Sequence, residues 1–447
     1  MMRRIIIPCL LFLCQLAFAD NPLVHSRGVG TRALSLANSF VALADDFTAV
    51  YWNPAGLAFI PVREVQLSLD YTHNRMNSSL AGTESDGRLQ HIRLGNAGFL
   101  RSVPTSRGGF SFAVGYTNPV ILDNVYSFTG WDQYLGRDSI PSSYWSEIIT
   151  QQVGSTIVYD TIVEHLSNGE RMYFGPNNKN RTHGQLGMIS GSAGWQVAQG
   201  LGFGVTLSFI LGRELQNIYS DQRSEDGSLF DTSHFELRRS YTGIDFRAGV
   251  LIKPIEWLSL GLCIAAPQYI RFEQNAQEEE LYYGYIYPEQ YNTGTIKSSF
   301  SGSFGAAFKL PFMLLSTQAN ARAPMIEAEE GSDRSFWKVG LSTGIEVPVP
   351  ALYTLFRAGY AWNELDLHPY EISWDGGIIS SEPVYESDKG CHMFTGGVAF
   401  MFKEFFVIET AYSYAFREYS VVEQHWKNPT VEEHSGHRVQ FSFSLHY

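Results

Sequence analysis

The last stretch of the chain alternates almost without a break. Val439, Phe441, Phe443, Leu445 and Tyr447 fall on one side of an extended strand, and Arg438, Gln440, Ser442, Ser444 and His446 fall on the other. Successive side chains of a strand point to opposite faces, so one face of this strand meets an apolar medium and the other a polar one. The chain must therefore build a sheet that separates two environments. Both the half-buried sheet of a soluble sandwich and the wall of a membrane barrel meet that demand.

The same alternation recurs along the chain, and fourteen such segments are expected. They are marked by Val65-Leu67-Leu69-Tyr71, the stretch 90–101, Phe110-Phe112-Val114-Tyr116, the stretch 184–197, Leu201 to Leu211, Ile244 to Ile252, Leu258 to Ile264, Phe300 to Phe308, the stretch 312–322, Trp337 to Val347, Leu352 to Trp362, the stretch 392–402, Phe406 to Phe416 and the closing strand. The connections alternate in length. Short ones fall at 102–107, 199–200, 254–255, 348–351 and 403–404, and long ones at 74–89, 118–183, 221–232, 274–292, 323–334, 366–389 and 420–435. Short turns at one rim and long loops at the other are the habit of outer-membrane barrels, and an even strand number returns both chain ends to one side. A soluble multi-sheet protein has no need of that asymmetry.

Composition agrees. Aromatics make up 14% of the chain and charged residues only 17%, against about 25% charged in ordinary globular domains. No stretch beyond the N-terminus approaches about 18 consecutive apolar residues, so membrane crossing falls to strands. The formal net charge of −13 argues against nucleic acid as a partner. On the polar faces, Asp245, Arg247, Lys338, Glu346, Arg357 and Glu409 belong in the lumen, since a charge near mid-membrane on the lipid face costs roughly 2–4 kcal/mol. Ion pairing within the lumen is the expected role for these charges.

The first residues read as a secretory signal, 1–19. Arg3 and Arg4 precede an apolar run, and Ala17-Phe18-Ala19 is a cleavage pattern that puts the mature start at Asp20. Cys263 and Cys391 remain beyond it, spaced for neither a disulfide scaffold nor a metal site, and read as small filler residues. His434 and His437, in an expected surface loop, lack the spacing of a helical metal pair. No nucleophile motif, HExxH or CxxC is present, so neither enzyme activity, cofactor nor metal is expected.

Residues 20–62 show no strand periodicity. They contain GVGTRALSLANSFVALADDFTAVYWNPAGLA, Gly28 to Ala58. Asn53 suits a helix N-cap and Pro54 the first helical position. Gly28 and Gly30 permit tight turns, and Asp45-Asp46 reads as a turn or cap rather than a catalytic pair. The segment resembles the hatch of the FadL/TodX family of outer-membrane transporters for hydrophobic compounds. Gly28, Gly30, Arg32-Ala33, the small-residue stretch to Ala42, Ala44-Asp45-Asp46 and Asn53-Pro54-Ala55 carry that resemblance, and the terminal aromatic resembles the closing strand read by the barrel-assembly machinery. The implied fold is all-β: a 14-stranded antiparallel transmembrane barrel over 63–447, with hatch 20–62 inside the lumen.

What the resemblance implies for function is uptake of long-chain fatty acids or other hydrocarbons across the bacterial outer membrane by a monomer set among outer-membrane lipid and lipopolysaccharide. Ligand is caught by extracellular loops, moves the hatch, and leaves sideways through a kink in strand three. Tyr126, Phe128, Trp131, Tyr134, Tyr144 and Trp145, in the long loop 118–183, form a candidate capture surface. Gly115, Asn118 and Pro119 are candidates for the lateral opening, since glycine and proline permit a bulge or an early end to pairing. Some FadL-like barrels of PorV type serve secretion instead of small-molecule transport, and that alternative stays open at this point.

Overall fold

In a computed structural model, the described residues are 28–80, 82–103, 105, 108–129, 132–133, 152–153, 156–157, 173–223, 229–281, 284–298, 300–322, 338–363, 370–374, 377–378, 384–388, 390–402, 405–422 and 430–447. Fourteen strands form the wall. They are β1 Glu64–Leu80, β2 Thr83–Val103, β3 Phe110–Ile121, β4 Tyr173–Ala198, β5 Leu201–Arg223, β6 Leu229–Ile255, β7 Leu258–Ala265, β8 Ser301–Lys309, β9 Leu314–Arg322, β10 Lys338–Val349, β11 Thr354–Asn363, β12 Cys391–Phe402, β13 Phe406–Val422 and β14 Thr430–His446. Each pairs antiparallel with its sequence neighbour, and β1 pairs with β14 from Glu64↔His446 to Ser79↔Val431, closing the barrel. Pairing the first strand with the last leaves neither end of the sheet as an unpaired edge in lipid, where backbone groups cannot be solvated.

Alternation sets the two faces. Val65, Leu67 and Leu69 of β1, Phe203, Val205, Leu207, Phe209 and Leu211 of β5, and Phe441 and Phe443 of β14 are exposed on the outside. Glu64, Gln66, Ser68, Asp70 and Thr72 of β1, with Gln440, Ser442 and Ser444 of β14, are buried within. The rim that carries the short turns is ringed by exposed aromatics, among them Phe110, Trp195, Trp257, Phe312, Tyr353 and Tyr447, as in the girdle that marks the headgroup level of outer-membrane barrels.

The opposite rim departs from expectation. The connections 74–89 and 221–232 are largely strand. β1 and β2 stay in register to Leu80↔Thr83 around a tight turn at Gly82, and β5 and β6 stay paired to Arg223↔Leu229. Segment 274–292 lies within a hairpin, Tyr269–Glu280 with Gln290–Ser298, whose first strand extends the pairing of β6. Alternation of apolar and polar residues stops where the wall leaves lipid, so an alternation-based reading ends those strands too early, while the backbone ladder continues. His434 also proves to be a buried residue of β14 paired with Glu432, not part of a surface loop.

The N-terminal segment runs inside the barrel. Its described part carries helix α1 Thr31–Ser35, helix α2 Ala49–Trp52 and a 3₁₀ turn Pro54–Phe59. Phe40, Phe47, Leu34, Leu36 and Leu57 are wholly buried there.

Candidate functional site

The N-terminal segment is joined to the wall at many points around its circumference. Asn53 caps the 3₁₀ turn: its Oδ1 accepts from Ala55 N at 3.1 Å, with Pro54 in the first position. Its Nδ2 donates to Val41 O at 2.9 Å and to Val250 O of β6 at 3.0 Å. Gly30, at φ 93, adopts the left-handed backbone that starts α1. Arg438 donates to the Gly28 carbonyl at 2.9 Å while its guanidinium grips Asp70. Gln318 of β9 accepts from the Phe40 and Val41 amides, and Glu64 of β1 accepts from Phe47 N.

The expected lumenal charges form a chain. Arg32 pairs with Asp45 at 2.6 Å and with Glu346 of β10 at 3.1 Å. Glu346 pairs in turn with Arg357 of β11, and Arg357 with Glu409 of β13, each at 2.6 Å. Asp245 and Arg247 pair on β6, and Arg247 also donates to the Tyr51 carbonyl. The side chain of Lys338 lies outside the described residues. Asp46 closes a turn just ahead of α2, accepting from Thr48 N at 2.7 Å and Thr48 Oγ1 at 2.5 Å. Burial lifts its carboxyl from 3.8 to about 6; the Thr48 hydrogen bond opposes the shift, and Asp45 and Glu409 add to it.

Wall glycines make the seat. A Cβ on Gly204 of β5 would stand 2.2 Å from the carbonyl carbon of Pro54, and one on Gly249 of β6 would stand 2.0 Å from Asn53 Oδ1. Gly115 belongs to the same set. It pairs regularly with Gly98 and Ser190, and a Cβ there would meet the Phe47 ring at 2.5 Å.

The ladder is interrupted beyond Gly115, at the other two strand-three candidates, Asn118 and Pro119. Pairing of β2 with β3 ends at Asn96↔Thr117, and pairing of β3 with β4 shifts register between Thr117 and Val120, across Asn118 and Pro119. Proline supplies no N–H to continue the ladder. On β2, the extra residue Gly95 forms a bulge at the same height. From there β2 pairs only with β1, while the chain after β3 steps inward as the strand Asn124–Thr129, still paired with β4. That inner strand crosses the lumenal face of β1 and β2: Asn74 donates to Asp123 O and Ser78 to Ser127 O. Outside the break, Ile92 is 72% exposed.

Side chains span the break. Asn118 donates to Leu94 O at 3.4 Å. Arg93 of β2 forms a two-pronged pair with Asp123. His91 lies 3.6 Å from that carboxylate, and His183 Nδ1 of β4 lies 3.3 Å from His91 Nδ1. Sequence reading missed this group, because its members come from three separate stretches with no shared spacing.

Behind the break the lumen is apolar. Leu186 and Met188 of β4, Ile210 of β5, Tyr241 of β6, and Ile270 and Phe272 of the outer hairpin form one buried cluster, flanked by Val120, Leu122 and Tyr51. Above it Arg239 donates to Gln274 at 2.8 Å and lies 3.5 Å from Glu214, which also accepts from Tyr241. A cavity of about 470 Å³ opens at this level, bordered by His183, Glu214, Arg239, Gln274 and Tyr291. Higher again, Ile218, Phe235, Leu237 and Ala276 form a second apolar cluster. The faint sequence signal for this wall was Phe209-Ile210-Leu211, apolar on both faces where strict alternation calls for one.

Of the candidate capture residues, Tyr126 and Phe128 sit on the inner strand Asn124–Thr129. Their side chains, and Trp131, Tyr134, Tyr144 and Trp145 entirely, lie outside the described residues.

Compared with known proteins, the chain matches no family model and no curated protein. Solved structures do match. A Pseudomonas aeruginosa FadL homologue is similar with TM-score 0.61 at 13% identity, covering 94% of this chain and 99% of that one. The P. putida toluene transporter TodX is similar with TM-score 0.59 at 13% identity and the Ralstonia pickettii toluene transporter TbuX with TM-score 0.54 at 12%, each over the same shares of both chains. At such identities the likeness is one of fold, that of the FadL/TodX-type barrel. That fold and the apolar outer belt place the chain in the bacterial outer membrane.

Proposed function

We propose that this barrel takes up small hydrophobic molecules, fatty acids or hydrocarbons, and releases them sideways into the membrane through the break between β2 and β3. The observation that carries this reading is the coincidence of three features at one height: a ladder that stops, an inward step of the chain, and an apolar lumenal cluster directly behind. A polar solute would gain nothing from such a wall. An apolar one exchanges a lumenal apolar surface for lipid without crossing water, at about 0.8 kcal/mol for each methylene kept dry. The solved structures of like fold named as toluene transporters and a monoaromatic hydrocarbon channel support the same class of cargo.

The N-terminal segment acts as a plug. With Asn53, Arg32 and Gly28 tied to the wall, straight passage to the far rim is closed and the lateral route is the shorter one. Arg239, set between the two apolar clusters beside the cavity, offers a positive group to an acidic head such as a carboxylate. No catalytic step is assigned to the barrel.

Uptake of radiolabelled oleate and of toluene into cells carrying the barrel tests this. Ile210→Glu with Phe272→Glu puts two charges into the apolar cluster and should lower uptake at least tenfold while heat-modifiable barrel still forms. Unchanged uptake by that variant refutes the path. Failure of the unaltered barrel to move either compound refutes small-molecule transport and favours the secretion-associated alternative.

A further inference from the structure

We propose that His91, Asp123 and His183 bind a divalent transition-metal cation of the zinc class, which staples β2 to β4 and the end of β3 across the break in the wall. The ligand atoms come from three different stretches and all lie within 4.8 Å of one another. The two imidazoles face each other through Nδ1 at 3.3 Å. With zinc–nitrogen bonds of about 2.05 Å, that separation subtends about 107° at the metal, close to the tetrahedral angle. His91 Nδ1 and Asp123 Oδ2, 3.6 Å apart, subtend about 120° on the same assumption.

The surroundings suit a cation site. Two neutral imidazoles meeting nitrogen to nitrogen can share only one proton, whereas a metal ion satisfies both lone pairs at once. Asp123 is 1% exposed and is oriented by Arg93 at both oxygens and by Gly184 N at 3.2 Å from Oδ1. This outer shell fixes the carboxylate as metal sites require, and it leaves acceptor capacity on Oδ2 facing His91. His91 itself is 34% exposed, so water has access to a fourth position. The separations of 3.3 and 3.6 Å already stand near the roughly 3.3 Å edge of a tetrahedral zinc site, so an ion closes its coordination shell with little movement and holds the strands where they are.

The staple's effect on passage rests on the lateral-exit reading above; binding of the ion does not. The full-length barrel, purified without an affinity tag and stripped with chelator, is titrated with zinc chloride by calorimetry and with cobalt(II) by visible absorption. One ion per chain and the absorption of tetrahedral cobalt are expected, with affinity falling at least tenfold in both His91→Gln and His183→Gln. His437→Gln, which alters the separate His73–His437 pair, should leave binding unchanged. No binding, or binding that survives both substitutions, overturns the site. In proteoliposomes, zinc should slow uptake of a hydrophobic probe by the unaltered barrel and not by His183→Gln. Zinc that binds without slowing a transporting barrel overturns the staple. A metal-free barrel that moves no probe overturns the uptake reading, while the titration still decides the site.

Discussion

Asn53→Ala isolates the attachment of the N-terminal segment from the stability of the wall. The side chain is wholly buried and makes three hydrogen bonds: to Val41 O, to Val250 O and from Ala55 N. Loss of an N-cap costs about 1 kcal/mol. Each of the two donated bonds contributes about 1 kcal/mol net, more if the abandoned carbonyl finds no other partner. Only the Val250 bond reaches the wall; the other two hold the segment's own fold, so the sum, about 3 kcal/mol, raises the undocked and locally unfolded population roughly 100-fold at 1.36 kcal/mol per factor of ten. The fourteen ladders contain no bond from this side chain, so the barrel should keep its melting behaviour. Hydrogen exchange in detergent reads the difference directly: amides from Val41 to Ala55 should exchange about 100 times faster in the variant, with β-strand amides unmoved. Asn53→Asp keeps the acceptor but sets a carboxylate oxygen against two backbone carbonyls in a buried site, and should loosen the segment at least as much. Unchanged protection in Asn53→Ala would refute the assignment of this residue as an anchor. Loss of the wall along with the segment would refute independent docking.

Other outcomes follow from the same geometry. Gly204→Leu sets a side chain against the backbone of Pro54, where nothing can rotate away; single-channel conductance should rise as the turn is expelled, and an unaltered closed barrel would disprove the glycine seat. Asp46 holds its proton more tightly when docked than when free, so docking is strongest below about pH 4 and weakens as pH rises through about 6, by up to about 3 kcal/mol. Conductance measured from pH 4 to 7 should increase accordingly, and Asp46→Asn should reduce that rise. Leu207→Lys places a charge on the lipid face of β5 and should lower folding stability in bilayers by about 2–4 kcal/mol; a neutral result would mean that this face does not contact lipid.

The sequence by itself determined the wall. Strand alternation is a relation between residues two positions apart, so Val65-Leu67-Leu69 or Phe441-Phe443 carries its facing and its medium wherever the strand is placed. The Asn53-Pro54 cap is equally local, since acceptor and amide are two residues apart. The expected lumenal charges followed from the cost of burying them in lipid, but their partners did not: Arg32 meets Glu346 across 314 positions. Only the tertiary structure decided where ladders continue beyond the membrane, because solvated strands have no apolar side to mark them. It alone brought Leu186, Ile210, Tyr241 and Phe272 into one lumenal cluster, and His91, Asp123 and His183 to one break. Such groupings depend on interstrand register and on a single inward step after Pro119, which are set by the closure of the whole barrel and leave no periodic trace in any one segment.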